Sequence, residues 1–180
     1  GMTWSTQVSG TTNTLRSIFF LDANNGWACG DEGTIITTTN GGSTWSPQSS
    51  PYTTQYNAIR FANTNTGWVI GAGNVLLKTS NGGAIWTQQQ NQGSSMWGLD
   101  MQSTTTGWIT GGFNATQGFP SLLKTTNGST WTFQTNSGVN SFLAFNDIRF
   151  TDVNNGWLVG VNGIIRHTTD AGATTWSGQN

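Results

Sequence analysis

The pair Gly-Trp occurs at Gly26-Trp27, Gly67-Trp68, Gly107-Trp108 and Gly156-Trp157, and each pair is followed by a Thr-rich turn ending in a second tryptophan. The turns read Thr38-Thr39-Asn40-Gly41-Gly42-Ser43-Thr44-Trp45, Thr79-Ser80-Asn81-Gly82-Gly83-Ala84-Ile85-Trp86, Thr125-Thr126-Asn127-Gly128-Ser129-Thr130-Trp131 and Thr168-Thr169-Asp170-Ala171-Gly172-Ala173-Thr174-Thr175-Trp176. A self-similar unit of roughly 40 to 45 residues means stacked repeats, because one such unit cannot bury its own apolar face. The repeat decides architecture first. It also accounts for most residues that would otherwise pass as site candidates.

Aligned on the Gly-Trp pairs, each unit contains four β-like segments. The first is Leu15–Phe20, matched by Tyr56–Phe61, Met96–Met101 and Phe145–Phe150. Within it Ile18/Phe20, Ile59/Phe61, Leu99/Met101 and Ile148/Phe150 fall two apart, on one face of a strand. A turn such as Asp22-Ala23-Asn24-Asn25-Gly26 follows, rich in residues that tolerate positive φ. The second segment starts at the Trp and runs into Gly30, Gly71, Gly111 or Gly160. The third is a short apolar pair, Ile35-Ile36, Leu76-Leu77, Leu122-Leu123 or Ile164-Ile165. The fourth starts at the second Trp. No stretch shows a 3.6-residue apolar period. Four short antiparallel strands per unit predict an all-β fold, a β-propeller of about four four-stranded blades. We expect one repeat domain over 1–180, with an N-terminal outer strand and connection over 1–13 and blades over 14–48, 55–90, 95–135 and 144–180.

The turns resemble the Asp-box of bacterial neuraminidase repeats, Ser/Thr-x-Asp-x-Gly-x-Thr-Trp. With Gly-Trp-x-x-Gly ahead of the box, the whole unit is similar to the propellers of the photosystem II stability and assembly factor family. The resemblance covers nearly the whole chain. Three boxes carry Asn40, Asn81 and Asn127 where the pattern prefers Asp, and Asp170 conforms; an amide can close the same turn. The resemblance implies a structural role for the boxes and no enzymatic one.

Closure is left open by the sequence. Trp4-Ser5-Thr6-Gln7 and Trp176-Ser177-Gly178-Gln179 both match the fourth strand, so four inner sets are bracketed by five outer strands. Either the N-terminal copy completes blade four, or the chain is a slice of a longer propeller, or two chains share one larger ring by self-association.

Composition narrows the partners. Charged residues make up 7% of the chain and the net charge is −1, so no basic stripe exists for nucleic acid. Polar surface comes from Thr, Asn, Ser, Gln and Gly, as in secreted, periplasmic or cell-surface β-proteins. No leader is visible after Met2, and Gly1 reads as a tag scar. No apolar run is long enough for membrane insertion. Cys29, where other repeats carry Ile70, Thr110 and Val159, reads as a buried structural thiol.

Catalysis finds little support. A sialidase site needs an arginine triad, a Tyr–Glu pair and an acid/base Asp. The chain has Arg16, Arg60, Arg149 and Arg166, the single Glu32 in a hairpin turn, and Tyr52 and Tyr56. Arg60 and Arg149 share one repeat position and either are repeat features or line a central channel. Asp100 and Asp147 lie on inner strands of different blades at different phases, which does not make a glycosidase pair. His167, aligned with Thr37, Lys78 and Lys124, reads as a surface residue. We expect no metal site and no cofactor.

The breaks in the repeat point to a rim. Nine of the ten tryptophans hold repeat positions; Trp97 instead aligns with Arg16, Asn57 and Asn146. Blade three also carries an insertion over 113–120. That connection and the loops entering each first strand open on one face, with Tyr52, Tyr56 and the stretch 135–142. Trp97, Phe113, Asn114, Phe119, Tyr52 and Tyr56 are therefore the candidate ligand-binding residues: flat rings for stacking beside amides for hydrogen bonding. Trp97, Phe113 and Phe119 could equally cap their own blade. The function expected is a non-enzymatic binding or scaffolding module for a glycan or a protein segment. The alternatives are a piece of a larger Asp-box glycoside hydrolase and a purely structural spacer.

Overall fold

The computed structural model describes residues 3–89, 95–112, 122–134, 143–173 and 175–178. Among them, four antiparallel sheets of four strands follow one another along the chain. Blade one comprises β1 (Leu15–Phe20), β2 (Gly26–Gly30), β3 (Ile35–Thr38) and β4 (Ser46–Pro47). Blade two comprises β5 (Tyr56–Phe61), β6 (Gly67–Gly71), β7 (Leu76–Thr79) and β8 (Thr87–Gln88). Blade three comprises β9 (Met96–Met101), β10 (Gly107–Gly111), β11 (Leu122–Thr125) and β12 (Thr132–Phe133). Blade four comprises β13 (Phe145–Phe150), β14 (Gly156–Gly160), β15 (Ile165–Thr168) and β16 (Ser177–Gly178). Helix among these residues is limited to the 3-10 turns Asp31–Gly33 and Val161–Gly163. The architecture is the partial four-blade propeller that the repeat predicts.

Local chemistry explains why each unit turns where it does. Asp22 Oδ1 accepts from the Asn24 and Asn25 amides at 2.7 and 2.9 Å, closing the β1–β2 turn. Asn63, Ser103 and Asp152 make the same bonds in the other blades. At the third-to-fourth strand turn, Thr38 Oγ1 accepts from the Gly42 amide at 2.9 Å while Asn40 Oδ1 accepts from the Thr44 amide at 2.9 Å. Thr79/Asn81, Thr125/Asn127 and Thr168/Asp170 repeat this pair of bonds. The carbonyl oxygen of Asn accepts as the carboxylate of Asp does, so three Asn-containing turns close as well as the Asp-containing one.

The Gly-Trp signature is a packing rule. A Cβ at Gly67 would come within 2.6 Å of the Phe61 ring, and Gly26 and Gly156 sit as tightly against Phe20 and Phe150. Only glycine lets the first-strand aromatic ring lie flat on the second strand. The following Trp then points at the next blade. Three apolar clusters result, one between each pair of consecutive blades: Trp27, Cys29 and Ile35 meet Ile59 and Phe61; Trp68, Ile70 and Leu76 meet Leu99; Trp108 and Leu122 meet Ile148 and Phe150. Each fully buried aliphatic or aromatic side chain contributes about 1.5–3 kcal/mol. Burial pushes the Cys29 thiol up to about 12, so it is an inert packing group.

The first strands pack side by side in the order β1, β5, β9, β13, which makes them the innermost. The arc they form is open. Ile18 and Phe20 are 59% and 39% exposed, whereas their counterparts Ile59 and Phe61 are buried. At the far end Trp157, Val159 and Ile165 are exposed where their counterparts in other blades are buried.

Two expectations are corrected. Residues 3–13 form no strand, and blade four keeps β16 as its outer strand. The N-terminal segment instead lays Gln7 over Gly42, as blade one's Gln48 lies over Gly83. It sits where a preceding blade's outer strand would sit, with no third strand beside it to pair with. In blade four, Ile165 is the register partner of Val159, so Ile165–Arg166 and not Ile164–Ile165 corresponds to Ile35–Ile36. Ile164 falls in the preceding turn and packs against the cluster beneath it.

Candidate ligand-binding face along the inner strands

Every first strand carries an irregularity at the same place. The pairing to the second strand shifts register between Leu15 and Ser17, Tyr56 and Ala58, and Phe145 and Asp147, and at Gly111 opposite Met96. The residues at these bulges are Arg16, Asn57, Trp97 and Asn146. A bulge breaks the two-residue alternation and re-aims one side chain. The four residues consequently form a row along the end of the inner strands at which the second-to-third strand turns also lie. Arg16 and Asn146 are exposed, and Asn57 and Trp97 half-buried.

The row is tied together between blades. Asn57 Nδ2 donates to the Met96 carbonyl at 2.7 Å, and Gln55 Nε2 donates to Asn57 Oδ1 at 2.6 Å. Arg16 Nε lies 2.5 Å from Asp31 Oδ1, and that contact holds the Asp31 carboxyl below the usual carboxylate range. Asp31 opens the β2–β3 turn, so its ion pair fixes the arginine across the first blade. Arg16 is exposed and Asp31 half-exposed, and such a surface pair orients more than it stabilises.

A second row lies toward the other end of the same strands, at Phe19, Arg60, Asp100 and Arg149. The Arg60 guanidinium sits 5.6 Å from the Phe19 ring centroid, and one of its N–H groups donates to the Ile59 carbonyl at 2.7 Å. Arg149 donates to the carbonyls of Leu99 and Ile148, both at 2.9 Å. A guanidinium carries five N–H donors, so these bonds leave capacity for a ligand. Asp100 is 8% exposed and accepts from the Phe150 amide at 2.8 Å and Gln102 Nε2 at 3.0 Å. Burial raises its pKa and lowers that of Arg60, and the mutual attraction of the two groups is the smaller effect. Asp100 ties β9 to β13 through Oδ2, which accepts both of these bonds.

The expected site residues separate. Trp97 is on the bulge row, at the predicted rim. Tyr52 is half-exposed and lines an open cavity of about 410 Å³ with Thr53, Thr54, Asn74 and Gln88. Tyr56 is not a rim residue: it is fully buried between blades one and two, and its hydroxyl bonds Ser50 Oγ and, at 3.2 Å, the Tyr52 carbonyl. As the first residue of β5, before the bulge, it still points into the core. Phe113, Asn114 and Phe119, with the rest of the insertion and the 135–142 stretch, lie outside the described residues. Sequence reasoning missed Asn57, Asn146 and Arg16 as partners of Trp97, although their shared repeat position was the available signal. His167 is half-buried and stacks on Trp157 at 4.4 Å, so it is not a plain surface residue.

These features define a BNR-type repeat propeller whose inner strands present an aromatic, amide and arginine face. The sequence profile of the photosynthesis system II assembly factor YCF48 matches residues 1–132, and the chain belongs to that family. No curated protein matches the sequence significantly. Among solved structures, "YCF48 bound to D1 peptide" is similar with a TM-score of 0.58 at 17% identity, covering 94% of this chain and 82% of that one. YCF48 from Cyanidioschyzon merolae gives 0.67 at 18% identity, covering 93% of this chain and 56% of that one. The GH74 enzyme of Niastella koreensis gives 0.75 at 16% identity, covering 91% of this chain and 30% of that one. At these identities the likeness is one of fold.

Proposed function

We propose that this chain is a non-enzymatic binding propeller that holds a protein segment across the inner strands. Trp97 is the stacking anchor, with Asn57 and Asn146 as amide contacts and Arg60 and Arg149 as donors toward the other end of the strands. The repeated bulge carries this reading. It turns four side chains of three chemistries, a guanidinium, an indole and two amides, onto one line, a poor way to build a spacer and a good way to read an extended chain. The family, and the YCF48 structure solved with a D1 peptide, support a protein partner. The GH74 likeness is a reason to weigh hydrolysis. Against it stands Asp100, whose carboxylate is buried and engaged by a backbone amide.

A peptide array and a glycan array probed with wild type and with Trp97→Ala test the proposal. Wild type should bind peptides, and Trp97→Ala should lose at least about 10-fold in affinity, as expected for a stacking anchor. Glycan binding without peptide binding, or peptide binding indifferent to Trp97, would sink it.

A further inference from the structure

The two ends of the arc expose the two kinds of surface that meet between consecutive blades. Inside the chain, a blade offers its successor the second-strand Trp, the buried residue two positions on (Cys29, Ile70 or Thr110), and the first residue of the third strand. The successor offers the paired first-strand side chains. Trp27 stacks on Phe61 with ring centroids 3.7 Å apart, and Trp108 on Phe150 at the same distance. At blade four the offering face is Trp157, Val159 and Ile165; at blade one the receiving face is Ile18 and Phe20. All five are exposed. The polar contacts follow the same scheme. Lys124 Nζ lies 5.3 Å from the Trp108 ring centroid and donates to the Ala171 carbonyl of the next blade at 2.9 Å. Lys78 lies over Trp68 and reaches Ser129 in the same way. His167 takes this position over Trp157, and its buried Nε2 has no partner among the described residues. The counterpart of Ala171 on blade one is Gly41.

We propose that two copies of this chain join head to tail, blade four of each docking on blade one of the other, to close one larger ring. Trp157 of one copy stacks on Phe20 of its partner, Val159 and Ile165 cover Ile18, and His167 faces the Gly41 turn. The occupant is a second copy because the chain itself carries both complementary faces, and the docking continues an interface already formed three times within it. Heterologous faces of this kind form rings when the rotation closes. The segment Trp4–Gln7 gives way on docking. It makes no strand pairing and Trp4 is almost fully exposed, while the partner's β16 is paired and its Trp176 buried.

Sedimentation of the intact chain from about 1 μM to about 100 μM, a range that covers the weak end for an interface of standard size, tests this. The expected result is a species of twice the 19.2 kDa chain mass. Phe20→Asp and Trp157→Asp should each weaken association at least about 30-fold and leave the near-ultraviolet circular dichroism of the monomer unchanged. Mixed together, the two variants should form a one-to-one pair, because one wild-type interface survives between them. Removing residues 1–8 should leave the dimer intact. A wild-type chain that stays monomeric throughout, as it would if further blades on a longer polypeptide covered these faces, overturns the proposal. So does a Trp157→Asp variant that still dimerises, or a dimer abolished by the N-terminal deletion.

Discussion

Trp27 of blade one lies face to face with Phe61 of blade two, ring centroids 3.7 Å apart and planes 10° from parallel, and Trp86 packs T-shaped on the same ring at 5.8 Å. Trp108, Phe150 and Trp176 repeat the arrangement between blades three and four. The middle interface uses Met101 in the place of the phenylalanine, a flexible thioether that fills the same gap.

This packing predicts unequal costs at equal repeat positions. Phe61→Ala should cost about 3–5 kcal/mol in urea denaturation, as for a buried aromatic ring. Phe20→Ala, on the open end of the arc, should cost at most about 1 kcal/mol when measured on dilute, monomeric protein. Equal costs would mean that repeat position, not the neighbouring blade, sets the energy.

Ala171 holds a φ of 58°, where the counterparts Gly41 and Gly82 hold 69° and 72°. An L-residue with a Cβ is strained there, so Ala171→Gly should stabilise the protein by about 1 kcal/mol. The reverse change, Gly41→Ala, should destabilise it. Thermal denaturation of both variants reads the two signs.

Hydrogen bonds from Asn25, with those from Asn24, hold the Asp22 carboxyl below its ordinary value, and the amides of Asn155 and Asn154 do the same for Asp152. A carboxyl depressed in the folded state adds stability above its unfolded pKa, and that stability is lost as pH falls through the folded value. The urea midpoint should therefore drop from pH 5 toward pH 2. In the double variant Asp22→Asn, Asp152→Asn the drop should be shallower, since an amide oxygen closes the same turn at Asn63. An unchanged slope would show that these turns do not carry the acid sensitivity.

Asp100 should show the opposite sign. Burial raises its pKa above the ordinary value, so ionisation at neutral pH costs stability, and that cost fades as pH falls through the raised value. Asp100→Asn should raise the melting temperature at pH 7, with the gain shrinking toward pH 3. A variant less stable at pH 7 would mean that the bonds to the Phe150 amide and Gln102 need the charge.

The strand ends and turns were legible in the residues because their causes are local. The Thr/Asn pairs satisfy amides two to four positions away, and Gly67 has no Cβ because Phe61 of the same hairpin lies on it. Trp97 stood out because it breaks the repeat. The rest of the site was hidden by the bulges, which depend on how β5 or β9 pairs with its neighbour rather than on residue type. Strand alternation counted back from Phe61 and Ile59 puts Asn57 in the core and Tyr56 outside it, and the bulge reverses the two.

The sequence by itself determined the blade: four strands, two closed turns, and a Trp-on-Phe contact awaiting a neighbour. Tertiary structure alone decided which copies of that contact are filled. Phe20, Phe61 and Phe150 hold one repeat position and each packs T-shaped on a tryptophan of its own blade, yet only Phe61 and Phe150 are also stacked by a tryptophan of the preceding blade, while Phe20 is 39% exposed. Periodicity specifies a surface, but burial requires a second surface against it, and only the packing of blade on blade supplies or withholds one.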